Sequence, residues 1–172
     1  MTKDQEFEEF ALARLAHLHR SAWLLCGDRH RAEDLVQETL AKVYVRWHKR
    51  LAMPIDNPAA YAQTTLVRVY ISAMRRPSAH ERPVEVLPDP GVRDGDVELR
   101  LALASALEQL QPLDRAVLVL RYLDDRPVRE VAATLGCSEG AVRNRTLRAL
   151  DRLRDVFGPS LTDLLHHRQE TP

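Results

Sequence analysis

Cysteine is scarce in this chain, with two residues, Cys26 and Cys137, among 172. Two thiols cannot build a disulfide scaffold or a four-thiolate zinc site. Long apolar runs are absent as well: no stretch approaches about 18 consecutive apolar residues, so no membrane-spanning helix is expected. The start, MTKDQEFEEF, is acidic and lacks the basic and apolar segments of a signal peptide. We therefore expect a reduced, cytoplasmic protein that is not inserted in a membrane.

Net charge is also lacking, because 25 Lys and Arg balance 25 Asp and Glu. This balance excludes a uniformly basic nucleic-acid coat protein and an acidic disordered protein. The sequence has no nucleophile motif, phosphate-binding glycine loop or carboxylate pair, so we expect no enzymatic activity, small-molecule substrate or cofactor. Cys26 and His30 stand one helical turn apart, but Gly27 interrupts the helix between them, which argues against a metal site.

Helical periodicity runs through two parts of the chain, 1–76 and 98–157, where apolar residues recur every three or four positions. Glycine is scarce, at six residues, and no strand pattern occurs. The predicted fold class is therefore all-α, with two small helical domains. The predicted helices span 4–26, 29–49 and 58–76 in the first domain and 98–110, 112–123, 128–136 and 139–157 in the second.

The segment 77–97 differs from both domains. It contains four of the ten prolines and two of the six glycines, and its charge is −3, from five acids against two Arg. Such a composition predicts a flexible acidic linker between the domains. No role is assigned to the tail 158–172.

The second domain carries the pattern of a helix-turn-helix between Val128 and Leu147. Ala132 supplies the small residue where two helices cross, and Gly136 supplies a turn residue that tolerates positive φ. Ser138 is a candidate N-cap for the second helix. The apolar residues expected to clamp the two helices together are Val131, Leu135, Cys137 and Val142.

The second helix is basic, with five Arg against two acids from Glu139 to Arg154. A solvated amphipathic helix would show the same charges, but the complete helix-turn-helix pattern before it favours DNA binding, because Arg and Asn side chains pair with base edges and phosphates. The positions expected to face outward are Glu139, Arg143, Asn144, Arg145 and Arg148, with Ser138 at the start.

Three segments resemble the extracytoplasmic-function sigma factors of RNA polymerase. The run LQPLDRAVLVLRYLDDRPVREVAATLGCSEGAVRNRTLRALDRLR, 110–154, resembles their fourth conserved domain. AEDLVQETLAKVY, 32–44, resembles the core-binding helix of their second domain, and NPAAYAQTTLVRVYISAMRR, 57–76, is similar to the helix that reads the minus-ten element. At position 146 the sequence has Thr where many members carry Leu, and in this feature it resembles the actinobacterial SigE-like branch.

The resemblance implies an alternative sigma factor whose partners are core RNA polymerase, promoter DNA and an anti-sigma factor. The domain 1–76 would bind core polymerase and open the minus-ten region, and the domain 98–157 would read the minus-thirty-five region. Core-binding residues implied by the match are Asp34, Leu35, Gln37 and Glu38. Those implied for the minus-ten element are Asn57, Tyr61, Arg68, Arg75 and Arg76, and those for the minus-thirty-five element are Ser138, Glu139, Arg143, Asn144, Arg145 and Arg148.

The minus-ten helix departs from the family pattern at Gln63, Thr64, Arg68 and Ala73, where Arg, Asn or Trp are common. Tyr61 and Tyr70 could either stack on bases or pack in the core.

Two alternative functions stay open. One is a helix-turn-helix regulator that binds operator DNA without polymerase, and the other is an interaction module derived from a sigma factor that no longer melts DNA.

Overall fold

The computed structural model describes residues 2–49, 53–76 and 94–158, and within the last range side chains from Leu101 onward. All secondary structure in these ranges is helical, which confirms the predicted all-α class. The chain divides into two units, Met1–Leu87 and Pro88–Pro172. The first unit contains α1 (Lys3–Cys26), α2 (Arg29–Trp47) and α3 (Pro58–Met74), and the second contains α4 (Asp94–Glu108), α5 (Pro112–Leu118), a π-helical turn (Val119–Leu123), α6 (Val128–Leu135) and α7 (Glu139–Phe157).

The predicted linker and tail fall largely outside the described residues. Positions 77–93 of the linker and 159–172 of the tail lie there. Helix α4 begins at Asp94, four residues before the predicted start at Glu98. The prediction missed this helical turn because Asp94, Gly95 and Asp96 have low helix propensity and were grouped with the linker by composition.

The hairpin of α1 and α2 is formed by two adjacent residues that end one helix and start the next. Gly27 takes a left-handed conformation, φ 70° and ψ 0°, and ends α1. The Asp28 carboxylate accepts a hydrogen bond of 2.7 Å from the Arg31 amide and so caps α2, as predicted. The abrupt reversal lets α1 and α2 pack along each other and against α3.

The core of the first unit consists of one stripe from each helix. Its fully buried side chains are Leu18, Leu25, Val36, Val43, Leu66, Val67 and Tyr70. Tyr70 is 1% exposed, so this ring packs in the core and is not presented for stacking on a base. One polar pair is buried among these residues: the Gln63 amide nitrogen donates to the Ser21 hydroxyl at 2.8 Å and joins α3 to α1.

Aromatic rings close the open end of the α1–α2 hairpin. Phe7 meets Tyr44 and Trp47 edge to face, with ring centroids 5.1 and 5.7 Å apart, and Phe10 lies 5.2 Å from Trp47. Such pairs contribute about 0.5–1.5 kcal/mol each beyond the area they bury. The Tyr44 hydroxyl donates to the Asp4 carboxylate at 3.0 Å, and this hydrogen bond raises the pKa of Tyr44 above its usual value.

The second unit is built around the π-helical turn that follows α5. Val117, Leu120, Val131, Val142 and Ala149 are completely buried and bring α5, the turn, α6 and α7 into one core. The buried guanidinium of Arg126 donates to the Thr134 hydroxyl at 3.5 Å. This hydrogen bond joins the loop that precedes α6 to the helix itself.

Replacing Ser21 tests the buried polar pair of the first unit. In Ser21→Ala the Gln63 amide loses its partner while it stays buried, so we expect the free energy of unfolding to fall by about 1–3 kcal/mol. Urea unfolding followed by circular dichroism measures the change. Ser72→Ala on exposed α3 surface is the matched control and should change stability little; equal stability of the two variants would contradict the role of this pair.

Candidate nucleic-acid interface

The turn between α6 and α7 has the geometry predicted for a helix-turn-helix. Gly136 has φ 65° and ψ 39°, a left-handed conformation that side-chain-bearing residues rarely adopt. A Cβ at Gly136 would meet nothing within 4 Å, so the backbone angle and not a lack of space requires glycine. The Ser138 hydroxyl accepts a hydrogen bond of 3.1 Å from the Ala141 amide and starts α7.

Apolar contacts hold α7 against α6. Val131 and Val142 are completely buried, Ala132 is buried, and Leu135 and Cys137 are half-buried. These are the residues predicted to clamp the two helices. The clamp fixes the rotation of α7 about its own axis and therefore determines which side chains face outward.

The exposed face of α7 presents most of the predicted DNA-binding residues. Ser138, Glu139, Arg143, Asn144 and Arg148 are all exposed. The Arg143 guanidinium and the Glu139 carboxylate are 2.9 Å apart, one helical turn from each other, with 61% and 47% of their side chains exposed. Because both groups are in water, this pair contributes little to stability and leaves Arg143 able to exchange partners.

The sequence prediction missed one residue of this face, Leu147, which is 61% exposed. It lies three residues after Asn144 and four after Arg143, so the helical period places all three on one face. A shallow depression there is lined by Ala141, Asn144, Arg145, Leu147 and Arg148. The signal that could have identified Leu147 is its helical spacing from Arg143 and Asn144.

Arg145 does not face outward as predicted. It lies three residues after Val142 and four before Ala149, two completely buried residues, so its side chain flanks the buried stripe. Its guanidinium Nη1 lies 2.6 Å from Oδ1 of Asp114 on α5, and the Asp114 residue is only 5% exposed. Arg145 therefore forms a partly buried contact between α5 and α7.

The residues implied for minus-ten contact differ in how α3 presents them. Arg68, Arg75 and Arg76 are exposed, while Tyr61 is half-buried. Asn57 is exposed, but its side-chain oxygen already accepts a 3.0 Å hydrogen bond from the Ala60 amide and caps α3.

The departures from the family pattern on α3 are not equivalent. Gln63 is 3% exposed, and its amide nitrogen donates to the Ser21 hydroxyl in the core. Thr64 and Ala73 are half-buried. Position 63 therefore serves the packing of α3 on α1.

The residues implied for polymerase binding lie on α2. Asp34, Gln37 and Glu38 are exposed, as a contact surface requires, but Leu35 is 8% exposed and belongs to the core. Leu35 lies three residues after Ala32 and four before Thr39, which are both buried, so its side chain packs in the core and its implied contact with polymerase stays a prediction. Val45 was missed: it is 69% exposed and lies seven residues beyond Glu38, on the same face.

Within the described ranges, no group of three or more His, Cys, Asp or Glu side chains is arranged to hold a metal ion. No helix among the same residues is long and apolar enough to cross a membrane.

Two family models match this chain, one on each unit. The model for Sigma-70 region 2 matches residues 11–79, and that for Sigma-70, region 4 matches residues 100–153. The chain is similar to the RNA polymerase sigma-E factor of Streptomyces avermitilis, with 37% identity over 156 residues that cover 87% of this chain and 84% of that one. It is also similar to the ECF RNA polymerase sigma factor SigE of Mycolicibacterium smegmatis, with 28% identity over 88% of this chain and 61% of that one.

Solved structures give the same family. The sigma factor RpoE from Bartonella quintana, crystallised with the anti-sigma factor NepR, matches with a TM-score of 0.69 and 25% identity over 90% of this chain and 98% of that one. The extracytoplasmic function sigma factor SigJ of Mycobacterium tuberculosis matches with a TM-score of 0.62 and 29% identity over 86% of this chain and 52% of that one. The helix-turn-helix, the two region matches in order and these relatives lead to one conclusion: the chain is an actinobacterial extracytoplasmic-function sigma factor, an alternative sigma factor that directs transcription initiation by RNA polymerase.

Proposed function

We propose that this sigma factor reads the upstream promoter element with the outward face of α7 and binds core polymerase with the outward face of α2. The observation that carries the proposal is the exposure of Arg143, Asn144, Leu147 and Arg148 on a helix whose opposite side is locked in the core. A recognition helix needs this combination, because base edges are read only by side chains held in a fixed register.

The chemistry of the α7 face suits the major groove. Arg143 and Arg148 can pair with the O6 and N7 of guanine or with phosphates, and Asn144 can pair with the N6 and N7 of adenine. Leu147 between them suits contact with a thymine methyl group. Ser138 lies at the N-terminus of α7, where backbone amides favour a phosphate, and the Glu139 carboxylate can accept a hydrogen bond from the N4 amino group of cytosine.

On α3 and directly after its end at Met74, the exposed side chains favour contacts with the backbone of the minus-ten strand. Arg68, Arg75 and Arg76 can bind phosphates, and Tyr61 can stack on a base only with its exposed part. Because Tyr70 is in the core, aromatic stacking on this helix is sparse. This observation favours a second candidate, a factor that binds polymerase and DNA but melts the duplex weakly.

The proposed partners follow from these surfaces. Asp34, Gln37 and Glu38 give α2 an acidic, hydrogen-bonding face that suits a basic surface of core polymerase, and Val45 extends it with an apolar contact. An anti-sigma factor is a further proposed partner, supported by the Bartonella quintana complex. We place the protein with RNA polymerase in the cytoplasm, and we propose no catalytic role for it.

Run-off transcription with core polymerase from a Streptomyces species tests the proposed function. With this protein added, core polymerase should start RNA at discrete sites on promoter fragments selected from genomic DNA, and core alone should not. Operator binding without core and without RNA would instead support a stand-alone regulator. RNA made only on templates opened beforehand at the minus-ten region would support the weakly melting factor.

Replacing Asn144 tests whether α7 reads bases. In Asn144→Ala, one bidentate contact to adenine is lost, so discrimination at one base pair should fall by about 1–3 kcal/mol, or roughly 5- to 150-fold. Transcription from promoters with single base changes measures this loss. Arg154→Ala, about 15 Å further along α7, is the control and should keep the wild-type base preference; unchanged discrimination in Asn144→Ala would contradict base reading by this face.

Reversing the charge of Asp34 tests polymerase binding by α2. In Asp34→Lys, like charges would face each other in the complex, and we expect affinity for core polymerase to fall by about tenfold or more. Fluorescence anisotropy of labelled sigma factor titrated with core polymerase measures it. Glu9→Lys on exposed α1 surface makes the same charge change and should bind normally; an equal effect of both variants would show a general charge effect and contradict this docking surface.

A further inference from the structure

A buried carboxylate lies directly beneath the DNA-reading helix. Asp114 is 5% exposed, and its Oδ1 lies 2.6 Å from Nη1 of Arg145 and 4.0 Å from Nη2 of Arg148. The two arginines differ in exposure, because 27% of the Arg145 side chain and 65% of the Arg148 side chain are accessible. Asp114 thus forms a short charge-assisted hydrogen bond with one arginine and only a long, largely solvated contact with the other.

Arg145 is close enough to the reading face to take part in it. It lines the same depression as Asn144, Leu147 and Arg148. An arginine released from Asp114 would therefore add a third mobile cation to this face, beside Arg143 and Arg148. Such a cation would bind mainly to phosphates. Phosphate contacts raise the affinity for every DNA sequence and do not distinguish one sequence from another.

We propose that Asp114 is a positioning residue for promoter selectivity, which holds Arg145 away from DNA and leaves the exposed residues of α7 to determine specificity. This inference rests on the proposed reading of DNA by α7. It assigns Arg145 no contact with DNA in the wild-type complex, although sequence resemblance places that residue among the contacts. The restraint acts through the contact between α5 and α7, whose two charged residues are 31 positions apart in sequence.

The proposal has a measurable electrostatic consequence. In Asp114→Asn the carboxylate charge is lost, Arg145 is released, and about one further phosphate contact forms. Each such contact steepens the dependence of log affinity on log salt by about 0.9, so affinity should fall about threefold more than in the wild type between 50 and 200 mM salt. At low salt, DNA with a scrambled minus-thirty-five element should bind several-fold more tightly, and the ratio between intact and scrambled DNA should shrink.

The experiment uses holoenzyme assembled with saturating sigma factor, and the variants are Asp114→Asn, Arg145→Gln and the double variant. Fluorescence anisotropy with intact and scrambled promoter duplexes across salt concentrations gives the slope and the specificity ratio. Circular dichroism melting and core-polymerase affinity check that each variant is folded and assembled. A purely structural role of Asp114 would lower the melting temperature without steepening the slope.

The proposal predicts that Asp114→Asn steepens the slope, that the double variant returns it to the wild-type value, and that Arg145→Gln alone leaves slope and specificity unchanged. An unchanged slope in Asp114→Asn, or a steep slope that persists in the double variant, would overturn it. Arg145→Gln tests the proposal even if Asp114→Asn does not fold. A slope of log affinity against log salt that is shallower by about 0.9 would mean that Arg145 binds phosphate in the wild-type complex. Failure of base reading itself shows separately, in Asn144→Ala.

Discussion

Each functional helix of this protein is buried along one stripe only, and this constraint determines its surface. On α7 the completely buried Val142 and Ala149 fix the rotation of the helix, and Arg143, Asn144 and Leu147 are therefore turned outward. On α2 the buried Val36 and Val43 do the same for Asp34, Glu38 and Val45. A few apolar contacts thus specify the two surfaces that we propose for DNA and for core polymerase, since a helix with one side buried in the core cannot present another face.

Electrostatics explain how a chain without net charge can bind DNA. The stretch from Arg126 to Phe157 carries +3, from seven Arg against four acids, while residues 77–97 carry −3. The fold also neutralises part of this positive charge, because Asp114 pairs with Arg145 below the outward face of α7. If Asp114 restrains Arg145 as we propose, the number of arginines on α7 overstates the charge that meets DNA, and the arrangement favours selectivity over general affinity.

The sequence was sufficient to predict the features that depend on helical periodicity and on neighbouring residues. The order of the helices, the caps at Asp28 and Ser138, and the left-handed turn at Gly136 follow from neighbouring residues and agree with the structure, whereas the first turn of α4 and the π-helical turn were not predicted. The features that the sequence did not predict depend on contacts with distant residues: Leu35 and Gln63 lie in the core, and Arg145 contacts Asp114. A polar residue beside a buried stripe can face solvent or a buried partner, and only the position of the neighbouring helix decides between them. Leu147 and Val45 were not named in the prediction, although their spacing places them on the outward faces of their helices.

Site-specific crosslinking in the holoenzyme tests the central claim, that the outward face of α7 meets the upstream promoter element. A photoreactive amino acid at position 147, with position 105 on the exposed surface of α4 as the control, would be activated in complexes with labelled promoter DNA. The account predicts crosslinks from position 147 that are confined to the minus-thirty-five element and none from position 105. Absence of crosslinks from position 147 in complexes that still transcribe, or equal crosslinking from both positions, would contradict it.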